Sequence, residues 1–128
     1  MRWEGDKMEY RELYKTFKKD IPECIDFCTK REQENMLDDN DGIHIFFGMV
    51  IVPYFIYLVD TKQEILIKKV SSFFESMAKS EDIKVQEVLD FTVLEQLADE
   101  GHDKLEQCKR YMENKTLEHC IAVQKYFC

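Results

Sequence analysis

Three histidines and five cysteines are the residues of this chain best suited to chemistry at a reacting centre. His44, His102 and His119 are widely separated, and of these only His119 has a cysteine, Cys120, beside it. A thiolate–imidazole pair needs side chains that face each other, whereas neighbouring residues on a helix point about 100° apart. His44 lies in an apolar run, where we expect a hydrogen-bonded core histidine. The histidine pattern therefore predicts no catalytic residue.

The cysteine spacing contains one arrangement with the character of a metal site. Cys24 and Cys28 are four residues apart and share a face of a predicted helix. Structural zinc needs four ligands, and no further Cys or His lies near them in sequence. No CxxC pair and no secretory signal are visible. We expect reduced thiols, packed as small hydrophobes in a cytoplasmic protein, at Cys24, Cys28, Cys108, Cys120 and Cys128.

The segment from Asp38 to Gly42 has the composition of a calcium-binding loop but not its register. With Gly42 at the sixth loop position, the first ligand would be Leu37 and the bidentate acid would be Gly48. We predict a turn instead, because Asn, Asp and Gly tolerate left-handed geometry. No metal site or cofactor is predicted. The chain also lacks a Gly-rich phosphate loop, G-x-S-x-G and H-E-x-x-H, so we expect no enzymatic activity.

Carboxylates are the remaining polar feature, with 26 acidic and 18 basic side chains and a net charge of -8. Residues 32–41 contain five acids and no Lys or Arg, and residues 81–106 contain nine acids and two lysines. Such a field repels nucleic acid and anionic lipid and attracts basic proteins. Solvated faces that keep the protein soluble are the simpler interpretation. The candidate partner-binding residues are Glu81, Asp82, Glu87, Asp90, Glu95, Asp99, Glu100 and Asp103, with Glu34, Asp38, Asp39 and Asp41 as a second patch.

The composition predicts one all-α domain over residues 1–128, because 4 Gly, 2 Pro and 34% charged residues favour long helices and short turns. We expect about six to seven helices in antiparallel pairs, arranged as a HEAT-like stack or an irregular bundle. The apolar pattern of the fifth helix includes Leu89, Phe91 and Leu94, with Ser80 as its N-cap, and Thr116 caps the last helix. Besides a central run, the predicted helices are Asp6 to Lys19, Pro22 to Met36, Lys62 to Lys79, Ile83 to Ala98, His102 to Met112, and a helix from Thr116.

The central run from Ile43 to Val59 carries no fixed charge and is expected to be buried in the middle of the domain. Its length lies at the lower limit for a membrane span, and His44, Gly48 and Pro53 interrupt it. Its flanks also lack a basic anchor. We therefore expect no membrane association.

Pro53 is predicted to bend or split this run, because proline removes one backbone donor. One segment would end near Ile51 and the next would begin at Val52 or Pro53. A pair of buried strands over residues 43–52 is an alternative that periodicity leaves open.

Four segments carry a family resemblance: H-I-F-F-G at 44–48, F-F-E-S-M-A-K-S-E-D at 73–82, V-Q-E-V-L-D-F-T-V-L-E-Q-L-A-D at 85–99, and R-Y-M-E-N-K-T-L at 110–117. From Gly42 onward, over about two thirds of its length, the chain resembles a family of small bacterial HEAT-like helical proteins associated with toxin immunity. Pro53 and the E-N-K-T turn depart from the family pattern. The resemblance concerns positions in the fold, so it transfers no binding residue.

The resemblance implies an immunity protein of a polymorphic toxin or contact-dependent growth inhibition system. Its partner would be a cognate toxin domain, and a basic nuclease fits best, because an acidic helical surface can occlude its active-site groove. No direct contact with nucleic acid is expected. The alternatives are a HEAT-like protein–protein adaptor without a toxin partner and an enzyme with an unrecognised carboxylate or Cys–His site.

Overall fold

The computed structural model describes residues 8–127, apart from the side chain of Phe127. Within this range the chain forms seven helices and no strand, which confirms the predicted all-α class. Two 3-10 turns, Tyr10–Glu12 and Pro22–Cys24, precede the first two helices; the predicted helical residues Asp6 and Lys7 lie outside the described range. The helices are α1 (Leu13–Asp20), α2 (Ile25–Glu34), α3 (Ile43–Asp60), α4 (Glu64–Ala78), α5 (residues 83–99), α6 (His102–Lys109) and α7 (Asn114–Phe127).

The pair α3 and α4 lies in the middle of the fold. On one side α1 and α2 pack against α3, and the Phe17 ring of α1 contacts Phe47 of α3 at 6.2 Å and Phe73 of α4 at 4.9 Å between centroids. On the other side α5 packs against both middle helices, α7 packs against α4 and α5, and the short α6 contacts α3 and α5. The helices therefore form three layers, with the apolar run in the central one.

The composition of α3 follows from this position. Phe47, Val50, Ile51 and Phe55 have no exposed surface, because helices of both outer layers cover them. Among the described residues, α3 is the one helix long and apolar enough to cross a membrane, with a mean hydropathy of 1.9. The core helix of a soluble protein has the same composition, and the packing of α3 is compatible with that interpretation.

The predicted split at Pro53 is absent, because α3 is one continuous helix. It adopts π geometry over Phe47–Ile51, where the amide of Val52 donates to the carbonyl of Phe47 five residues earlier. The alternative of a strand pair in this region is therefore wrong.

Side chains of two other helices compensate for the amide that Pro53 lacks. The carbonyls four and five residues before Pro53 belong to Met49 and Gly48, and neither can accept a hydrogen bond from a proline. Arg31 Nε of α2 donates to the Met49 carbonyl at 3.0 Å, and Gln96 Nε2 of α5 donates to the Gly48 carbonyl at 2.8 Å. Tertiary contacts thus allow the helix to continue through the proline.

Gly48 lies where α3 and α5 approach each other. A Cβ atom at this position would be 3.1 Å from Gln96 Oε1 and 3.4 Å from Thr92 Cγ2. One turn earlier, His44 Nδ1 and Thr92 Oγ1 are hydrogen-bonded at 2.5 Å. The π segment Leu89–Leu94 of α5 contacts that of α3 at this crossing. A small residue is therefore needed at position 48.

Replacing Gly48 with leucine is expected to lower the free energy of unfolding by about 2 kcal/mol, because the side chain must displace Gln96 and Thr92. Urea unfolding followed by circular dichroism measures the change. Gly42→Ala is the control, since a Cβ atom there meets nothing within 4 Å, and its effect should stay below about 1 kcal/mol. Equal effects of the two substitutions would contradict this account of the crossing.

The start of α5 differs from the prediction that Ser80 is its N-cap. Asp82 is the N-cap, and its Oδ1 accepts a hydrogen bond from the Lys84 amide at 2.9 Å. Ser80 Oγ instead accepts from the Asp82 amide at 3.1 Å and stabilises the preceding turn. The carboxylate is two residues closer to the helix, so it reaches the free amides that the serine cannot.

The start of α7 also differs, because Thr116 does not cap it. Glu75 of α4, only 6% exposed, accepts from the amides of Lys115 at 3.0 Å and Thr116 at 2.8 Å, and from the Thr116 hydroxyl at 2.9 Å. A side chain distant in sequence therefore caps the last helix and ties it to the middle layer. Burial alone would raise the pKa of Glu75, but these hydrogen bonds together with Lys79 outweigh it and lower that pKa.

Four cysteines are buried free thiols, as predicted, while Cys128 lies outside the described residues. Burial raises the pKa of Cys108 to about 12, which keeps it a neutral thiol at physiological pH. The four are Cys24, Cys28, Cys108 and Cys120.

Candidate functional site

Some of the candidate contact acids are used by the fold itself. Asp82 caps α5 through the Lys84 amide, as described above. Asp90 Oδ1 accepts a hydrogen bond from His119 Nδ1 of α7 at 2.7 Å, which links α5 to α7. These carboxylates therefore have partners within the protein.

The loop between α2 and α3 contains a turn, as predicted from its sequence. Asp41 Oδ2 accepts from the Asp38 amide at 2.9 Å, and Asp38 Oδ1 accepts from the Asn40 amide at 2.8 Å. The carboxylates of Asp38 and Asp41 thus close the turn on itself, and the bond from Asp38 to the amide two residues on is that of an Asx turn.

The other candidate acids are not used in this way. Between residues 8 and 127, no side chain forms an ion pair or hydrogen bond with their carboxylates, so they are available to a partner. These acids are Glu34, Asp39, Glu81, Glu87, Glu95, Asp99, Glu100 and Asp103.

The acids near α5 do not form one patch. Residues 83–99 extend for roughly 25 Å along the helix axis, so Glu81 and Asp103 lie near opposite ends. Glu95 and Asp99, four residues apart, do line a common groove. The four-residue spacing indicates a shared helix face, but it does not indicate the cavity beside it.

We call this cavity the α3–α5 groove, an open cleft of about 380 Å³. Ile45 and Met49 form its apolar side on α3, and Glu95 and Asp99 line it from α5. Ile45 is 43% exposed, so a partner that enters the groove meets apolar surface next to carboxylates. The groove residues are His44, Ile45, Gly48, Met49, Phe91, Thr92, Glu95, Gln96 and Asp99.

A second and larger cleft of about 690 Å³, the α5–α7 groove, lies on the other flank of α5. Its walls are mainly apolar, with Phe91 from α5 and Val123 and Tyr126 from α7, and it also contains carboxylates of both helices. The groove residues are Asp90, Phe91, Glu118, His119, Ala122, Val123 and Tyr126.

Phe91 lines both grooves and is 57% exposed, so it forms a ridge between them. The apolar pattern of α5 includes Phe91, yet the structure leaves this side chain exposed. A signal was available, because Phe91 is four residues from both Glu87 and Glu95 and therefore lies on the charged stripe of the helix. We call the two grooves and Phe91 together the α5 face.

The second predicted patch lies close to the α5 face at one end. Asp41 is three residues before His44, so the α-carbons of Asp41 and His44 are at most about 11 Å apart. His44 in turn is hydrogen-bonded to Thr92 of α5. Glu34 is at the end of α2, on the far side of the loop. The loop thus extends the acidic surface beyond the α3–α5 groove.

The histidines have structural partners in this surface. His44 is hydrogen-bonded to Thr92, as expected for a satisfied histidine, although it is only half-buried and lines a groove. His119 pairs with Asp90 rather than with the adjacent Cys120, which is buried in the core. His102 is exposed at the start of α6. In the described part of the chain, no group of three or more His, Cys, Asp or Glu side chains is placed to hold a metal ion.

A family model matches residues 14–127, from the second residue of α1 to the last residue of α7. The chain belongs to the DUF7674 family. This family is described as a domain of unknown function, and the match includes every residue of the α5 face. No curated protein and no solved structure matches this DUF7674 chain.

Proposed function

We propose that this DUF7674 chain is a cytoplasmic immunity protein that binds and neutralises a cognate antibacterial toxin domain, with the α5 face as its contact surface. The toxin would be a nuclease with a basic active-site groove, which the acidic surface occludes. Immunity is what the resemblance of residues 42–128 implies, and the geometry of the α5 face supports a binding role.

The observation that carries the proposal is the exposed Phe91 ridge with uncommitted carboxylates beside it. Aromatic anchors contribute most of the binding energy in many interfaces, particularly where they enter a pocket of the partner. Glu95 and Asp99 have no cation within the described protein, so a basic partner would supply one to each. An exposed aromatic ring beside unpaired carboxylates is complementary to a protein surface that has lysines and arginines around an apolar depression.

The charge would act mainly on the rate of association. A net charge of -8 attracts a basic domain over long range and speeds encounter, and this effect weakens as salt increases. Affinity would then depend on short-range contacts with Phe91 and with the apolar residues Ile45 and Met49. Rapid capture is useful to an immunity protein, because an active nuclease must be blocked before it cleaves.

Co-expression with the neighbouring gene tests the proposal. If that gene encodes a toxin, we expect the chain to restore growth of cells that express it and to co-purify with it as a complex. A toxin that kills despite co-expression and does not co-purify would refute the proposal. Stable co-purification with a harmless protein would instead support the adaptor alternative.

A further inference from the structure

The α5–α7 groove has features that the proposed function does not by itself explain. It is the larger of the two grooves on the α5 face, and its apolar wall is built from Phe91, Val123 and Tyr126. Val123 is 6% exposed and forms part of the floor, whereas Phe91 and Tyr126 are 57% and 84% exposed at the sides. A long side chain entering the groove would therefore find an apolar base and two aromatic rings.

Two carboxylates meet this apolar surface. Asp90 Oδ1 is held by His119, which fixes the orientation of the carboxylate, and its Oδ2 accepts no hydrogen bond from the described residues. Glu118 Oε1 is 3.5 Å from Lys115 Nζ, but both side chains are about half exposed or more, so this ion pair is weak. A cation in the groove could therefore contact both acids without breaking a strong internal interaction.

We infer that the α5–α7 groove is an anchor pocket for an arginine side chain of the partner. This inference rests on the proposed binding function and names the residue type that this part of the α5 face recognises. The aliphatic part of the arginine packs on Val123 and Ala122, and its guanidinium stacks on Phe91 while it donates to Asp90 Oδ2 and Glu118.

Arginine fits this set of groups better than lysine does. Its planar guanidinium stacks on aromatic rings and offers several N–H donors in a fork that can reach two carboxylates. A lysine ammonium is a strongly hydrated point charge and gains less from a half-exposed aromatic wall. A purely apolar side chain would fill the groove but would desolvate Asp90 and Glu118 without pairing them.

The test is a titration of the ¹⁵N-labelled full chain with acetyl-Gly-Arg-Gly-amide, followed by NMR. We expect amide shifts at Asp90, Phe91, Glu118 and Val123, with a dissociation constant on the order of millimolar. The citrulline peptide has nearly the same shape without the charge, and it should bind at least about tenfold more weakly. The lysine peptide should bind about threefold more weakly than the arginine peptide.

Two pairs of surface variants make the site assignment specific. Phe91→Ala should weaken the arginine peptide about fivefold, whereas Ile121→Ala, an exposed residue of α7 outside the groove, should leave it unchanged. Glu118→Gln should weaken binding about fivefold, whereas Glu113→Gln, an exposed position just before α7 and outside the groove, should change it less than about twofold. All four positions are at least partly exposed, so folding should be preserved.

Equal responses to the arginine and citrulline peptides would overturn the inference, as would shifts confined to the α3–α5 groove. Failure of the anchor pocket and failure of the proposed function give different results. A chain that neutralises its toxin but shows no arginine preference refutes the anchor pocket alone. A chain that binds arginine as expected but protects against no toxin keeps the pocket and refutes the immunity role.

Discussion

Replacing Glu75 with alanine is expected to lower the free energy of unfolding by about 3 kcal/mol, as measured by urea denaturation at pH 7. The substitution leaves the buried amide and hydroxyl of Thr116 and the partly buried amide of Lys115 without an acceptor. It also removes a buried negative charge from the positive N-terminal end of α7. Glu75 is the only buried carboxylate among the described residues. The cap joins α4 to α7, so we expect α7 to lose hydrogen-exchange protection first.

Glu64→Ala is the matched control on the same helix. Glu64 is exposed and accepts one hydrogen bond from the Tyr111 hydroxyl at 2.8 Å, so its loss should cost less than about 1 kcal/mol. A Glu75→Ala protein as stable as Glu64→Ala would show that the buried cap does not hold α7 in place.

The pH dependence gives a second measurement of the same contact. Since the pKa of Glu75 is lowered in the folded state, its ionised form contributes stability above the ordinary glutamate pKa of about 4.3, and this contribution is lost as pH falls through the folded-state pKa. The stability advantage of the natural protein over Glu75→Gln should therefore be full at pH 7 and shrink below about pH 4. An advantage that is constant between pH 7 and pH 3 would contradict the ionised cap.

Reversing the charge of both Glu95 and Asp99 to lysine is expected to weaken toxin binding by about 100-fold. Both carboxylates line the α3–α5 groove without an internal cation, so the lysines would place two positive charges directly against a basic partner. The association rate should fall, and its dependence on salt concentration should become weaker. Surface plasmon resonance at several salt concentrations measures both quantities.

Glu34→Lys with Asp39→Lys is the control, because it changes the net charge equally at two other uncommitted acids. We expect it to lower the association rate by less than about tenfold and to leave the dissociation rate unchanged, since these residues contribute only to the long-range field. If the control pair abolishes binding and the groove pair does not, the α2–α3 loop is the interface and the α5 face is not.

The helical class and the core followed from the sequence, because helical periodicity reports which residues can share a buried face. The charge-free run from Ile43 became the central helix, and the free cysteines became core residues. Gly101 separates α5 from α6 with φ at 108°, a conformation that glycine adopts readily. These features depend on local spacing and on the transfer of apolar surface from water.

The candidate site depended on contacts between residues far apart in sequence. The acidic character was evident from composition. The packing of α3 against α5 places Glu95 and Asp99 in a groove without an internal partner, and the packing of α7 against α5 pairs Asp90 with His119. The exposure of Phe91 is likewise a tertiary property, because its apolar character favours the core while its position between acids favours solvent.

By itself the sequence determined that this chain is an acidic all-α domain built around one apolar run. Only the tertiary structure decided that this run passes through Pro53 as a single helix, because Arg31 and Gln96 supply the donors that proline lacks. It likewise decided that Glu75 caps α7. The physical reason is the same in both cases: a backbone group that its own helix leaves unpaired is satisfied by whichever side chain the fold brings within about 3 Å.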